Sequence, residues 1–286
     1  MNEIRNLLLL TLIIIVAMKI NANFKAFAGI NFDASKFVPS PAYNVNRFML
    51  DRIGNEKARA TTIVEYKPNS KFPLHEHIGG EEFLVLKGTF KDQYGEFPKG
   101  YYVRNPIGSK HEPWVDDDGC TIMVKLLQMA DTDEGVDPLH INYEGSKDKE
   151  KTDWGHVLEM YHNKVTGERV SMWWVDPGTE FPTNEYCSDG EELFIVDGSL
   201  FADGHEYVEW GWIRFPPGKE VITQRKGLKS GPAGAQVYRK TGHLTDSAMS
   251  MEKIQISIET EEVLDKNSNG RLESATEDDN SKKTQS

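Results

Sequence analysis

The chain has 286 residues, of which 38% are hydrophobic and 10% aromatic, with 24 Gly and 13 Pro. That length suits two domains of ordinary size, and so many turn formers favour short strands over long helices. A formal charge of -12, with no run of Lys or Arg beyond isolated pairs, repels phosphate backbones and excludes nucleic acid as a partner.

From the N-terminus, Arg5 precedes an apolar stretch from Leu7 to Met18, broken only by Thr11, and Ala26-Phe27-Ala28 follows as a small-x-small pattern. Residues 1–26 read as a signal peptide or N-terminal anchor. The stretch is shorter than the roughly 20 residues of a membrane-spanning helix. An exported protein, periplasmic or secreted, is therefore expected, with membrane anchoring by the uncleaved segment as the alternative.

Runs rich in β-branched and aromatic residues follow at Thr61 to Tyr66, Glu82 to Leu86, Tyr101 to Arg104 and Thr121 to Leu127, each bounded by turn formers. Similar runs recur at Val170 to Val175, Glu192 to Val196 and Gly211 to Phe215. They predict two all-β domains, residues 27–146 and 147–246, joined through the polar stretch Glu144 to Thr152. Residues 247–286 lose their apolar content and are expected to form a polar, largely disordered tail. Within it, Asp265 to Leu272 follows the first eight positions of an EF-hand loop, but position twelve is Thr276, so a polar turn is the expectation. Cys120 and Cys187 fall in different predicted domains and are read as separate thiols.

The two domains are copies of one unit. Phe72-Pro73 through Glu81-Glu82 to Gly88 has a counterpart about 110 residues later in Phe181-Pro182 through Glu191-Glu192 to Gly198. Phe90 and Asp92 match Phe201 and Asp203, and Pro106-Ile107-Gly108 matches Pro216-Pro217-Gly218. An ordered set of matches argues for duplication where a shared glycine would not.

Only the first copy carries a ligand set. His75 and His77 are two apart, so a strand would send both imidazoles to one face. Gly79-Gly80 supplies a turn before Glu81, and His111 can return beside the first strand by antiparallel pairing. Three imidazoles and a carboxylate suit a borderline divalent metal such as Fe2+, Zn2+, Mn2+ or Ni2+. Adjacent strand residues face opposite ways, so only one of Glu81 and Glu82 can reach the ion. In the second copy the histidine positions hold Asn184, Tyr186 and, approximately, Val221, which leaves no imidazole. Arg104 lies near the metal strand, where a salt bridge to Glu82 or Asp92 competes with a role in holding a substrate carboxylate.

The spacings His75-x-His77-x3-Glu81-x6-Gly88 and Gly100-x5-Pro106-x-Gly108-x2-His111 match both cupin motifs, and Gly79 to Leu86 with Tyr102 to Pro106 resembles the ChrR-like cupin family. The likeness runs from about Phe48 to Met129, with a fainter echo to about Gly242. It implies a bicupin of double-stranded β-helix jelly rolls, with His75, His77, Glu81 and His111 binding one divalent ion and a second barrel that has lost its site. Fe2+ is the expected ion, with Zn2+, Mn2+ and Ni2+ as alternatives. The family includes the zinc-binding domain of an anti-sigma factor and Fe(II) dioxygenases that cleave diketones or hydroxyketones. With an export signal ahead of the cupin in place of a helical Cys/His segment, no sigma factor is expected as a partner. The resemblance thus implies a mononuclear dioxygenase acting on a small oxygenated organic molecule. The alternative is a non-catalytic metal-binding or sensing cupin with structural zinc, its second barrel serving as a surface for homodimerisation or docking.

Overall fold

A computed structural model describes residues 18–181, 188–218 and 225–244. The apolar N-terminal stretch up to Ala17, the tail with its EF-hand-like segment, Asn184, Tyr186, Cys187 and Val221 all lie outside the described residues.

The first half contains β1 (Lys19–Ile20), β2 (Ala28–Ile30), β3 (Val38–Pro39), β4 (Val45–Gly54), β5 (Ala58–Tyr66), β6 (His75–Glu76), β7 (Glu81–Asp92), β8 (Gly95–Pro98), β9 (Tyr101–Asn105), β10 (Lys110–His111), β11 (Cys120–Leu126) and β12 (Leu139–Asn142). The second contains β13 (Glu150–Thr152), β14 (Gly155–His162), β15 (Arg169–Val175), β16 (Glu191–Ala202), β17 (His205–Val208), β18 (Trp212–Phe215) and β19 (Lys229–Thr241). All seven predicted runs are strands, most of them longer than expected. The predicted linker is shorter, because Glu150–Thr152 pairs antiparallel with Gly155–Val157 at the start of β14 as an edge strand.

One sheet runs β1-β4-β5-β11-β7-β9-β12, and another β13-β14-β15-β19-β16-β18-β2. The orders β4-β5-β11-β7-β9 and β14-β15-β19-β16-β18 are the same path drawn twice, so the duplication read from sequence is also a duplication of topology. This all-β arrangement fits a jelly roll. β2 is the exception to the division into halves: it comes from the N-terminal part of the chain but pairs antiparallel with β18, Ile30 opposite Trp212. Gly29 permits this approach, since a Cβ there would lie 2.3 Å from the Tyr207 hydroxyl oxygen.

Strand alternation divides the core. In β7, Phe83 and Val85 join an apolar cluster built only from first-half residues. Leu84 and Leu86, on the opposite face, join a cluster with Phe194, Val196, Trp212 and Tyr238 of the second half. β16 repeats the rule, with Leu193 and Ile195 inside a second-half cluster and Phe194 and Val196 at the shared one. Each half therefore has its own interior, and the outer faces of the two sheets bury one another.

Candidate metal centre

The local chain explains how four ligand atoms meet. β6 and β10 form a short two-stranded ladder that sets His111 directly opposite His75. After His77 the chain turns through Gly80, at φ +74, where a Cβ would lie 2.3 Å from the Met129 sulfur. Only glycine is tolerated there, and the turn delivers Glu81 to the head of β7. Candidate ligand atoms of His75, His77, Glu81 and His111 lie within 4.8 Å of one another.

The imidazoles are oriented by bonds at Nδ1. His75 Nδ1 lies 2.9 Å from the Pro73 carbonyl, His77 Nδ1 3.0 Å from Ser109 Oγ, and His111 Nδ1 3.1 Å from Asp92 Oδ2. Each Nε2 is thereby turned inward. His77 Nε2 is 3.2 Å from His75 Nε2 and 3.4 Å from Glu81 Oε2, and His111 Nε2 is 3.5 Å from the same oxygen. Metal–ligand bonds of about 2.1 Å place neighbouring ligand atoms roughly 3.0–3.4 Å apart, so these separations are those of a coordination shell. His111 Nε2 is buried with no hydrogen-bond partner, and a metal ion would satisfy it. Asn105 Nδ2 donates to Glu81 Oε2 at 3.1 Å, which fixes the carboxylate. The donor set and its geometry fit a divalent ion.

Charge is arranged to match. Burial would raise the Glu81 carboxyl, but His77, His111 and His75 outweigh it and hold the group below its ordinary range. Burial pushes His77 down, toward the neutral form that can bind a metal. For His111 burial also lowers the value, but its hydrogen bond to the Asp92 carboxylate and the charge of Glu81 prevail and raise it.

The four residues lie along a pocket of about 420 Å3 whose walls include Val45, Val64, Tyr66, Phe72, Val124 and Leu126, with Arg47 and Glu56 also on its lining. Arg47 donates to both carboxylate oxygens of Glu56, at 3.1 and 3.3 Å. Val45, Arg47, Glu56, Val64 and Tyr66 come from β4, β5 and the turn between them, and no sequence motif marked them as pocket lining.

Residues 25–130 match the family model of the ChrR cupin-like domain. No curated protein matches the chain. Solved structures similar to it include a Pseudomonas aeruginosa protein described as glyoxylate-induced, at 14% identity and TM-score 0.58 over 79% of this chain and 89% of that one. A protein from Nostoc punctiforme described as a dioxygenase candidate shows 14% identity and TM-score 0.52 over 78% and 81% of the two chains. The bacterial pirin YhhW of Escherichia coli, in complex with nickel(II), shows 10% identity and TM-score 0.53 over 76% and 98%. At such identities the likeness is one of fold, and that fold is the cupin barrel.

Beyond the residues that match the family model, the second barrel keeps the carboxylate but surrounds it differently. Glu191, the counterpart of Glu81, is fully buried and accepts from Arg225 Nε at 2.5 Å and from Arg239 Nε at 2.7 Å. Two guanidiniums stand around the carboxylate that in the first barrel faces three imidazoles. Among the described residues, no second cluster of potential metal ligands occurs.

Arg104 takes no part in the pocket. It pairs with Glu82 at 2.9 Å, as one of its expected partners, but also with Asp133 at 2.8 Å and with Glu168 of the second half at 3.0 Å. Asp92, the other expected partner, instead holds His111. Among the aromatics of the first barrel, Phe83 and Phe90 are core and Phe72 lines the pocket. Cys120 is a buried free thiol, which burial pushes up to about 12.

Proposed function

We propose that the first barrel binds one divalent ion through His75, His77, Glu81 and His111 and acts as a mononuclear metal oxygenase on a small oxygenated organic molecule such as a diketone or hydroxyketone. The reading rests on one observation: the three imidazoles and the carboxylate converge on the lining of an open pocket large enough for a small organic molecule. A purely structural zinc site is ordinarily closed by protein ligands, whereas access from a pocket is what a substrate requires. Fe2+ would supply the redox chemistry with dioxygen that side chains lack, with Zn2+, Mn2+ and Ni2+ as alternative occupants.

The chain's own residues divide the remaining work. Asp92, Ser109 and the Pro73 carbonyl keep the imidazoles turned inward, and Asn105 steadies the carboxylate. Val45, Val64, Val124 and Leu126 offer an apolar wall to a carbon skeleton and keep bulk water from it. The same reading places the protein outside the cytoplasm, on the strength of Leu7 to Met18, and expects the mature protein to lack Met1.

The deciding experiment is metal analysis of anaerobically purified protein followed by oxygen uptake against a panel of diketones and hydroxyketones. One equivalent of metal and substrate-dependent uptake are expected. Metal-loaded protein that consumes no oxygen with any of them, yet changes oligomeric state on adding metal, would replace the enzyme with a metal sensor.

A further inference from the structure

The outer faces of the two sheets carry a buried exchange of charges. Lys125 of β11 reaches across to Glu192 of β16, and Lys240 of β19 reaches back to Glu82 of β7. The two lysines are equivalent in the duplicated topology, since Lys125 stands opposite Glu82 in its own ladder as Lys240 does opposite Glu192. All four side chains are essentially inaccessible to solvent. A second second-half group, Glu168, accepts from both guanidinium nitrogens of Arg104 at 3.0 and 3.3 Å and from Lys240 at 2.9 Å. The Tyr161 ring lies 3.8 Å from the same guanidinium.

The significance lies in what stands on the reverse of these residues. In the β7–β9 ladder Glu81 is opposite Asn105, and Glu82 is opposite Arg104. Alternation sends Glu81 and Asn105 toward the metal centre and Glu82 and Arg104 toward the second barrel. The carboxylate ligand and the amide that steadies it thus sit on one side of a strand pair whose other side is held by charges, two of them (Lys240 and Glu168) supplied by the second barrel, and by the Tyr102 hydroxyl, which donates to Glu82 at 2.7 Å. We propose that the second barrel is a positioning element of the metal centre, in which Lys240 and Glu168 hold Glu82 and Arg104 and so fix where Glu81 points. This inference rests on the assignment of Glu81 as a ligand.

The pseudo-symmetry provides its own control. Lys125→Met takes a buried lysine from Glu192, and Lys240→Met takes one from Glu82 and Glu168, but only Lys240 grips the strand pair that carries a metal ligand. Each variant is to be compared as full-length protein by Co2+ affinity in chelator competition, by the Co2+ visible spectrum, and by melting of the metal-free protein. Both should melt lower than wild type. Lys240→Met should bind Co2+ at least 10-fold more weakly, the scale on which supporting residues act at metal sites, with shifted Co2+ bands, whereas Lys125→Met should match wild type in both. Lys240→Arg, which keeps the charge, should restore most of the affinity. Should Lys240→Met fail to fold, Glu168→Gln replaces it with the same expected direction. Wild-type affinity and spectrum in the folded Lys240 or Glu168 variant would overturn the proposal, as would equal losses in Lys125→Met. A wild type that binds no Co2+ would instead overturn the ligand assignment beneath it.

Discussion

The two barrels set the same carboxylate at the head of the same strand and neutralise it by different means. Glu81 faces three imidazoles, groups whose charge depends on pH and whose lone pairs can be given to a metal. Glu191 faces Arg225 and Arg239, which hold their charge at any accessible pH and offer no lone pair. A buried carboxylate must have a partner, and a permanent cation meets that need without an ion. A metal ion held by the first barrel would add stability by mass action, while Glu191 of the second is already paired with two guanidiniums.

His77→Ala tests this contrast most severely. It should lower metal affinity by orders of magnitude while leaving the metal-free fold, measured by circular dichroism, intact; a variant that retains a full equivalent of metal would undo the ligand assignment. Glu191→Ala should do the reverse, leaving metal stoichiometry at one per chain and destabilising the fold by about 3–5 kcal/mol in urea unfolding, the usual cost of breaking a buried ion pair.

A third test uses pH. His243 lies three residues beyond Lys240, where the first copy has Gln128 three beyond Lys125. Its Nε2 is 3.2 Å from Glu192, yet burial outweighs that carboxylate and lowers the imidazole from 6.5 to about 3. The unfolded chain takes up this proton first, so the stability is whole above pH 6.5 and declines as pH falls toward 3. The loss should be on the order of 3 kcal/mol at pH 4. In His243→Gln, metal-free protein should hold its urea midpoint until the carboxylates begin to protonate; an unchanged acid limb would remove His243 as the cause. The smallest effect is expected from Asp92→Asn, which keeps the shape at His111 Nδ1 but loses the negative charge. Metal affinity should fall 10- to 100-fold with little change in metal-free melting.

The convergence of His75, His77, Glu81 and His111 was legible because local geometry determines it: two residues along a strand, a glycine turn, and a second motif returning antiparallel. Strand alternation required that only one of Glu81 and Glu82 face the cluster, and the resemblance to the cupin motif singled out Glu81. The partners of Glu82 were not legible, because Lys240 is 158 residues away in the chain and nothing near either residue marks the pairing. The pairing of Glu191 with Arg225 and Arg239 was equally hidden, at separations of 34 and 48 residues. Repeats show which positions correspond, but the contacts between repeats depend on how their sheets stack.

The placement of Ala28–Ile30 beside Trp212–Phe215 has a consequence for the order in which the molecule can be completed. Arg214 also donates to the Asn21 carbonyl, 193 residues back along the chain. A ribosome releases the N-terminal strand long before its neighbour exists, so the first barrel can form while that strand waits and the second cannot finish its edge until the early segment docks. Closing so long a loop is slow relative to local hairpins. The last event in folding should then be the return of the first-made residues, and until it happens β18 exposes an open edge to which another chain could add.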